Sequence, residues 1–180
     1  WAEFVFDDPT RRYATERQTV FDGALDASGH ARVDARVDPG DAAPGMLRAD
    51  FTTRVFEPGG AFSIDRFSLP FSPYERYIGI RPPRGDRARG MLLTDTTHEL
   101  SIVAVDSSGR PAGDGTVEVK LYKIDWRWWW EKGERGLAAW AEATAHTPLD
   151  SGVVTLEDGV GTWPFEIKHP EWGRYLITAA

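Results

Sequence analysis

The chain has 180 residues, a formal net charge of −7 and a sequence pI near 5.1. Such an acidic balance argues against a protein that follows nucleic-acid phosphates, which needs a basic stripe. The absence of cysteine excludes disulfides, thiolate metal sites and cysteine nucleophiles together. No apolar run approaches the roughly 18 residues of a membrane-spanning helix.

Alternation of apolar and polar residues predicts strands along most of the chain. The pattern is clearest at residues 31–37, at residues 47–55 and from Trp163 to Ile167. Turn sequences separate these runs, among them "DASG" at 26–29, "EPGG" at 57–60, "DSSGRPAGDG" at 106–115 and "LEDG" at 156–159. Strands and turns at this spacing predict an all-β sandwich fold.

A proline- and arginine-rich stretch, "RPPRGDRARG" at residues 81–90, divides the chain. Its prolines oppose regular strand pairing and its charges favour exposure, so a solvated linker is a better interpretation than an anion-binding site. We therefore predict one domain at residues 1–80, a linker at 81–90 and a second domain at 91–180, each of a size that can fold as a unit.

The stretch "TVEVKLYKIDWRWWW" changes its alternation at Leu121–Tyr122. Because one unbroken strand cannot keep both apolar sets on one face, we expect a β-bulge at that step. The alternative is a strand that leaves the sheet edge and buries its second face elsewhere. Downstream, residues 134–145 are a helix candidate, with a strand and an ordered loop as the alternative.

Tryptophan is concentrated at residues 126–130, where four of the eight tryptophans lie. Each enclosed indole buries on the order of 200 Å², and leaving several in water would promote aggregation. We expect a packing or interface cluster; ligand stacking and a surface for a neighbouring domain are the alternatives. Its predicted members are Tyr122, Ile124, Trp126, Trp128, Trp129, Trp130, Trp163 and Trp172.

No convincing active site is visible in the sequence. The four histidines are far apart and lack metal-ligand spacing, and no nucleophile elbow or phosphate-binding loop is present. We therefore predict no catalytic residue, no metal, no cofactor, and no contact with nucleic acid or membrane. The chain begins at Trp1 without methionine and shows no signal peptide, so we expect it to be a piece of a longer protein.

Two long stretches resemble the interior domains of bacterial α2-macroglobulins. They are "PGMLRADFTTRVFEPGGAFSIDRFSLPFSPYERYIGIRPP" and "ELSIVAVDSSGRPAGDGTVEVKLYKIDWRWWWEKGERG", and the closing "WGRYL" is similar as well. The resemblance implies two tandem immunoglobulin-like, macroglobulin-type antiparallel β-sandwiches. Such a module has seven strands. The resemblance therefore leaves open that the first sandwich is incomplete at its start and that the second lacks its last strand.

The resemblance also implies a function. A bacterial α2-macroglobulin is a periplasmic protease-trapping protein, in some cases a membrane-anchored lipoprotein, with a bait segment and a Cys–Gln thioester. This chain has no cysteine, so the resemblance implies a structural scaffold whose partners are neighbouring domains and, indirectly, trapped proteases. The alternative is a carbohydrate-binding β-sandwich that uses Trp126, Trp128 and Trp130 as a stacking platform.

Overall fold

The computed structural model describes residues 1–40, 43–124 and 148–180. In that part of the chain the regular structure is entirely antiparallel β-sheet, which confirms the predicted all-β fold class. The strands are β1 (Leu47–Phe56), β2 (Phe62–Phe71), β3 (Arg76–Arg81), β4 (Thr97–Asp106), β5 (Gly115–Ile124), β6 (Asp150–Leu156), β7 (Val160–Glu166) and β8 (Arg174–Ala179). The helix candidate at 134–145 lies outside the described residues.

Six of these strands form a sandwich of two three-stranded sheets. One, called here the β4 sheet, has the order β3-β4-β7, and the other, the β5 sheet, has the order β6-β5-β8. Alternate residues of each strand point inward, as the period of two predicts. The buried core between the sheets consists of Leu100, Ile102, Ala104, Val117, Val119, Leu121, Val154, Leu156, Trp163, Phe165 and Ile167.

Strands β6 and β7 are joined by a two-residue turn that carries the chain from one sheet to the other. Glu157 and Val160 exchange backbone hydrogen bonds of 2.9 Å across it. Its central residues, Asp158 and Gly159, have φ angles of 50° and 77°. Positive φ at both positions is the type I′ geometry for which Asp-Gly is a preferred sequence, so the predicted turn at 156–159 is confirmed.

Strand β5 runs without a bulge, contrary to the expectation at Leu121–Tyr122. Its pairing with β8 is one-to-one, with Leu121 opposite Ile177, Tyr122 opposite Leu176 and Ile124 opposite Arg174. The predicted bulge is therefore wrong. The phase change has another cause: Ile124 is buried although it follows the alternation of the outer face, so the strand end buries its second face.

Strands β1 and β2 form a separate two-stranded hairpin, called here the N-terminal hairpin. All ten residues of each strand pair in register, from Leu47 opposite Phe71 to Phe56 opposite Phe62, which confirms the strand predicted at 47–55. The rings of Phe51 and Phe67 stack with centroids 5.0 Å apart. Within the described residues neither strand pairs with the sandwich, and Phe67 remains 44% exposed.

The strand predicted at residues 31–37 does not form. That segment is unpaired and mostly exposed, as is most of the chain from residue 9 to residue 40. Alternation alone cannot hold a strand, because its backbone groups need a neighbouring strand to bond. The turn before it is present, with the Asp26 N–H donating to the His30 carbonyl at 2.8 Å.

The pairing of β3 bears on the predicted division of the chain. Strand β3 ends at the first residue of the 81–90 segment, yet it pairs with β4 from Arg76 opposite Asp106 to Arg81 opposite Ser101. The segment after Arg81 therefore belongs to the loop between two neighbouring strands of one sheet, and the described sandwich extends back to residue 76. A separate first sandwich within residues 1–80, of which the described part shows the N-terminal hairpin, stays a prediction.

Candidate functional site

Half of the predicted aromatic cluster lies outside the described residues. This half comprises Trp126, Trp128, Trp129 and Trp130. Their packing and the alternative sugar-stacking platform stay predictions. The other four members, Tyr122, Ile124, Trp163 and Trp172, occupy three different environments.

Trp163 is a core residue. It lies on β7, is 7% exposed, and stacks on Phe165 with ring centroids 5.6 Å apart and planes 17° from parallel. Its indole edge approaches Gly152 on β6 so closely that a Cβ added there would lie 2.6 Å from the Trp163 Nε1 atom. Enclosing a ring of this size stabilises the sandwich by several kcal/mol, on the order of 25 cal/mol per Å² buried.

Tyr122 and Ile124 lie on the outer face of the β5 sheet, away from Trp163. Tyr122 is half-buried beside Leu176, and Ile124 is buried opposite Arg174. Trp172 lies in the loop before β8 and is 76% exposed. The described members of the predicted cluster therefore do not converge on one patch, and an interface role for Tyr122, Ile124 and Trp172 stays a prediction.

A polar contact joins the Trp172 loop to β5. The Lys123 ammonium pairs with the Glu171 carboxylate, and the Tyr175 hydroxyl donates to the Glu171 backbone carbonyl. Burial raises the pKa of the Tyr175 hydroxyl. This contact fixes the loop at the start of β8.

The outer face of the β4 sheet carries a feature that the sequence reasoning missed. The first eight residues, called here the N-terminal strap, meet the sheet at its edge strand β3, where Val5 pairs with Ile80, and place two side chains on this face. Phe4 and Phe6 pack against a second buried cluster of Tyr77, Val103 and Val105. One signal was available: "IVAV" in β4 is apolar at consecutive positions, which is typical of a strand buried on both faces.

Polar groups hold the strap as well. The Glu3 carboxylate accepts from Arg81 Nη1 at 3.0 Å and from Arg84 Nη2 at 3.2 Å. These hydrogen bonds, first from Arg81 and then from Arg84, lower the pKa of Glu3. The Trp1 Nε1–H donates to the Gly109 carbonyl at 2.8 Å.

Two aspartates, Asp26 and Asp106, occupy turns with the same D-x-S-G pattern. In each, Oδ1 accepts from the N–H and the hydroxyl of the serine two residues later, at 2.9 and 2.6 Å for Ser28 and at 2.8 and 2.7 Å for Ser108. The serine hydroxyl bond, followed by the backbone bonds, lowers the pKa of both aspartates. Their role is to close turns in the ionised form.

Two further observations concern chemistry and membranes. Among residues 1–40, 43–124 and 148–180, no three histidine, aspartate or glutamate side chains are grouped closely enough to hold a metal ion. Over the same residues, the structure has no helix with the length and apolarity that crossing a bilayer requires.

Comparison with known families gives a match to the bacterial macroglobulin domain 6 family over residues 79–180. The matched region begins in β3 and contains all the later strands of the sandwich. No curated protein and no solved structure gave a match. Since the match covers more than half of the chain and agrees with the antiparallel sandwich described above, the chain belongs to the bacterial macroglobulin domain 6 family.

Proposed function

We propose that this chain is a structural scaffold segment of a bacterial α2-macroglobulin-like inhibitor that traps proteases, with no catalytic activity of its own. The observation that carries the proposal is the family match over residues 79–180, and a macroglobulin domain is a structural module. The trapped protease would be an indirect partner. The direct partners would be neighbouring macroglobulin-like domains of the same parent chain, in the periplasm.

The interior of the sandwich is consistent with the role of a rigid spacer. Leu100, Ile102 and Leu121 are fully enclosed, and among the described residues no buried side-chain nitrogen or oxygen lacks a hydrogen-bond partner. A core of this kind resists deformation because small shifts open voids or unpair polar groups. Such a domain can hold its neighbours at fixed positions while another part of the protein moves.

The first experiment uses the isolated chain with trypsin. A scaffold segment should leave the kcat/KM of trypsin for a small chromogenic peptide unchanged at an equimolar concentration of the chain. Stoichiometric inhibition of that peptide's hydrolysis would contradict the proposal, because it would mean that this chain blocks a protease active site directly.

The second experiment uses the longer protein that carries this chain. A protease enclosed by a cage should still hydrolyse the small peptide but lose activity on casein, because the cage admits small substrates and excludes large ones. The Leu121→Ala variant should weaken the exclusion of casein, since it loosens the scaffold core. Equal trypsin activity on both substrates, with and without the longer protein, would refute protease trapping.

A further inference from the structure

The N-terminal strap is bound as an added strand. Val5 and Ile80 exchange two backbone hydrogen bonds, with the Val5 N–H donating at 2.9 Å and the Ile80 N–H donating at 3.0 Å. Strand β3 is the outer strand of the β4 sheet, so these bonds use its free edge. Addition of an extended segment to a sheet edge is a general mode of peptide recognition, in which alternate side chains enter pockets.

The main pocket of this edge is made by a glycine. The Phe6 ring lies over Gly79 so closely that a Cβ at residue 79 would be 2.4 Å from its Cε1 atom. Glycine inside a strand weakens the strand relative to alanine. At this position the absence of a side chain creates the space that the aromatic ring fills, against the second buried cluster.

Two further contacts give the site a chemical preference. The Arg81 guanidinium lies 5.0 Å from the centroid of the Phe4 ring, within the range of a cation–π contact. The same group and Arg84 bind the Glu3 carboxylate. From Glu3 to Phe6 the strap therefore offers an acidic side chain, an aromatic ring, a residue that bonds through its backbone with its side chain exposed, and a second aromatic ring.

We propose that the β3 edge, Gly79 and the Arg81–Arg84 pair form a peptide-binding site of the strand-addition type, selective for an extended segment that reads acidic, aromatic, any residue, aromatic. Its occupant here is the strap of the same chain, bound exchangeably. Exchange is possible because the strap pairs with the sheet through one residue, Val5, and continues into residues 9–40, where no strand pairing occurs. This site is additional to the scaffold function.

The test is a competition between the chain's own strap and the same sequence in trans. A fluorescein-labelled peptide of sequence WAEFVFDD is titrated into the full chain and into its Phe6→Ala variant, with fluorescence anisotropy as the readout. The tethered strap competes at a high effective concentration. Weakening it should therefore tighten binding of the peptide by at least about tenfold relative to the wild-type chain.

Two controls locate the binding. A peptide with the Phe6→Ala change should lose binding to the Phe6→Ala chain. The double variant Phe6→Ala/Gly79→Ala should also lose binding of the unchanged peptide, since the new Cβ fills the aromatic pocket, while its circular dichroism stays that of the single variant. Binding that is unaffected by Gly79→Ala, or no binding to any chain, would overturn the proposal.

A measurement on the unmodified chain keeps the test independent of the variants. An exchangeable strap requires the Val5 and Ile80 amides to exchange with deuterium far faster than the Ala104 amide, which donates to Gly159 at 2.8 Å inside the sandwich. If all three amides exchange together at the rate of global unfolding, the strap is a fixed part of the fold and the proposal is wrong.

Discussion

The sandwich and the N-terminal hairpin both consist of strands in which apolar and polar residues alternate. They differ in how far their apolar side chains are buried. In the sandwich, Leu121 of β5 is fully buried because the β4 sheet covers it. In the hairpin, Phe67 has the same alternation and a stacked partner, yet it is 44% exposed. Alternation thus sets which residues share a face, whereas burial depends on whether a second layer lies against that face.

The D-x-S-G turns repeat the comparison on a smaller scale. Asp26 and Asp106 make the same local hydrogen bonds. In both turns the N–H of the aspartate donates to the backbone carbonyl of the residue four positions later, at 2.8 Å. The Asp106 turn follows β4, a strand of the sandwich, whereas no strand flanks the Asp26 turn. A turn sequence can therefore form its turn without forming the hairpin around it.

The largest expected difference between the two regions comes from truncating an apolar side chain. Leu121→Ala should lower the free energy of unfolding by about 3–4 kcal/mol, because it leaves a cavity at a fully buried position. Phe67→Ala should lower it by less than about 0.5 kcal/mol, as expected away from a core. Urea denaturation followed by far-UV circular dichroism measures both, and a loss above 2 kcal/mol for Phe67→Ala would show that the hairpin is part of the cooperative fold.

A smaller difference is expected at the hairpin turns. Gly159→Ala should cost at least about 1–2 kcal/mol, because residue 159 has a φ of 77° and an added Cβ would lie 2.9 Å from the Ala104 carbonyl oxygen. Gly60 also has positive φ, at 86°, but faces open space in the turn of the N-terminal hairpin. Gly60→Ala should leave the thermal midpoint of the sandwich unchanged. Equal shifts of Tm for the two variants would contradict the separation of the regions.

The smallest expected effect is on the pH dependence of the free energy of unfolding. The pKa of Asp106 lies below its ordinary value of 3.8, so its ionised form stabilises the folded chain. That contribution is present above about pH 4 and is lost as the pH falls through the lowered pKa. The difference in stability between wild type and Asp106→Asn should therefore shrink between about pH 5 and pH 2, as measured by urea denaturation at each pH.

Asp26→Asn is the matched control. The pKa of Asp26 is lowered by the same kind of serine bond, but its turn carries no paired strands. Its substitution should leave the pH dependence of unfolding unchanged. A pH dependence altered equally by both substitutions would mean that the segment at residues 9–40 unfolds together with the sandwich.

The sequence predicted the local conformation of turns and strands but missed the contacts between segments that are distant in the chain. The "LEDG" turn and the alternation from Trp163 to Ile167 specify their local structure directly, and both predictions were confirmed. The strand at 31–37 was wrong because its formation depends on a partner strand that no local pattern reveals. The expected bulge in β5 was wrong because the outer face of a strand end can also be buried, as at Ile124.

The candidate site was harder to predict for the same reason. The strap joins residue 5 to residue 80, and nothing in the neighbourhood of either residue specifies that contact. From the sequence alone, Gly79 is a residue that weakens a strand. The Phe6 ring above it gives the structural reason for a glycine at this position. The predicted tryptophan cluster relied on composition, which does not distinguish an enclosed indole such as Trp163 from an exposed one such as Trp172.

The position of Trp163 has a consequence for how the two layers of the sandwich can move. Its indole reaches from the β4 sheet to Gly152 on the opposite sheet, where no side chain separates it from the backbone. Sliding one layer over the other would drive the ring into a bulkier neighbour of that glycine. Steric contact between this ring and the opposite sheet therefore opposes shear between the layers, in addition to hydrophobic burial.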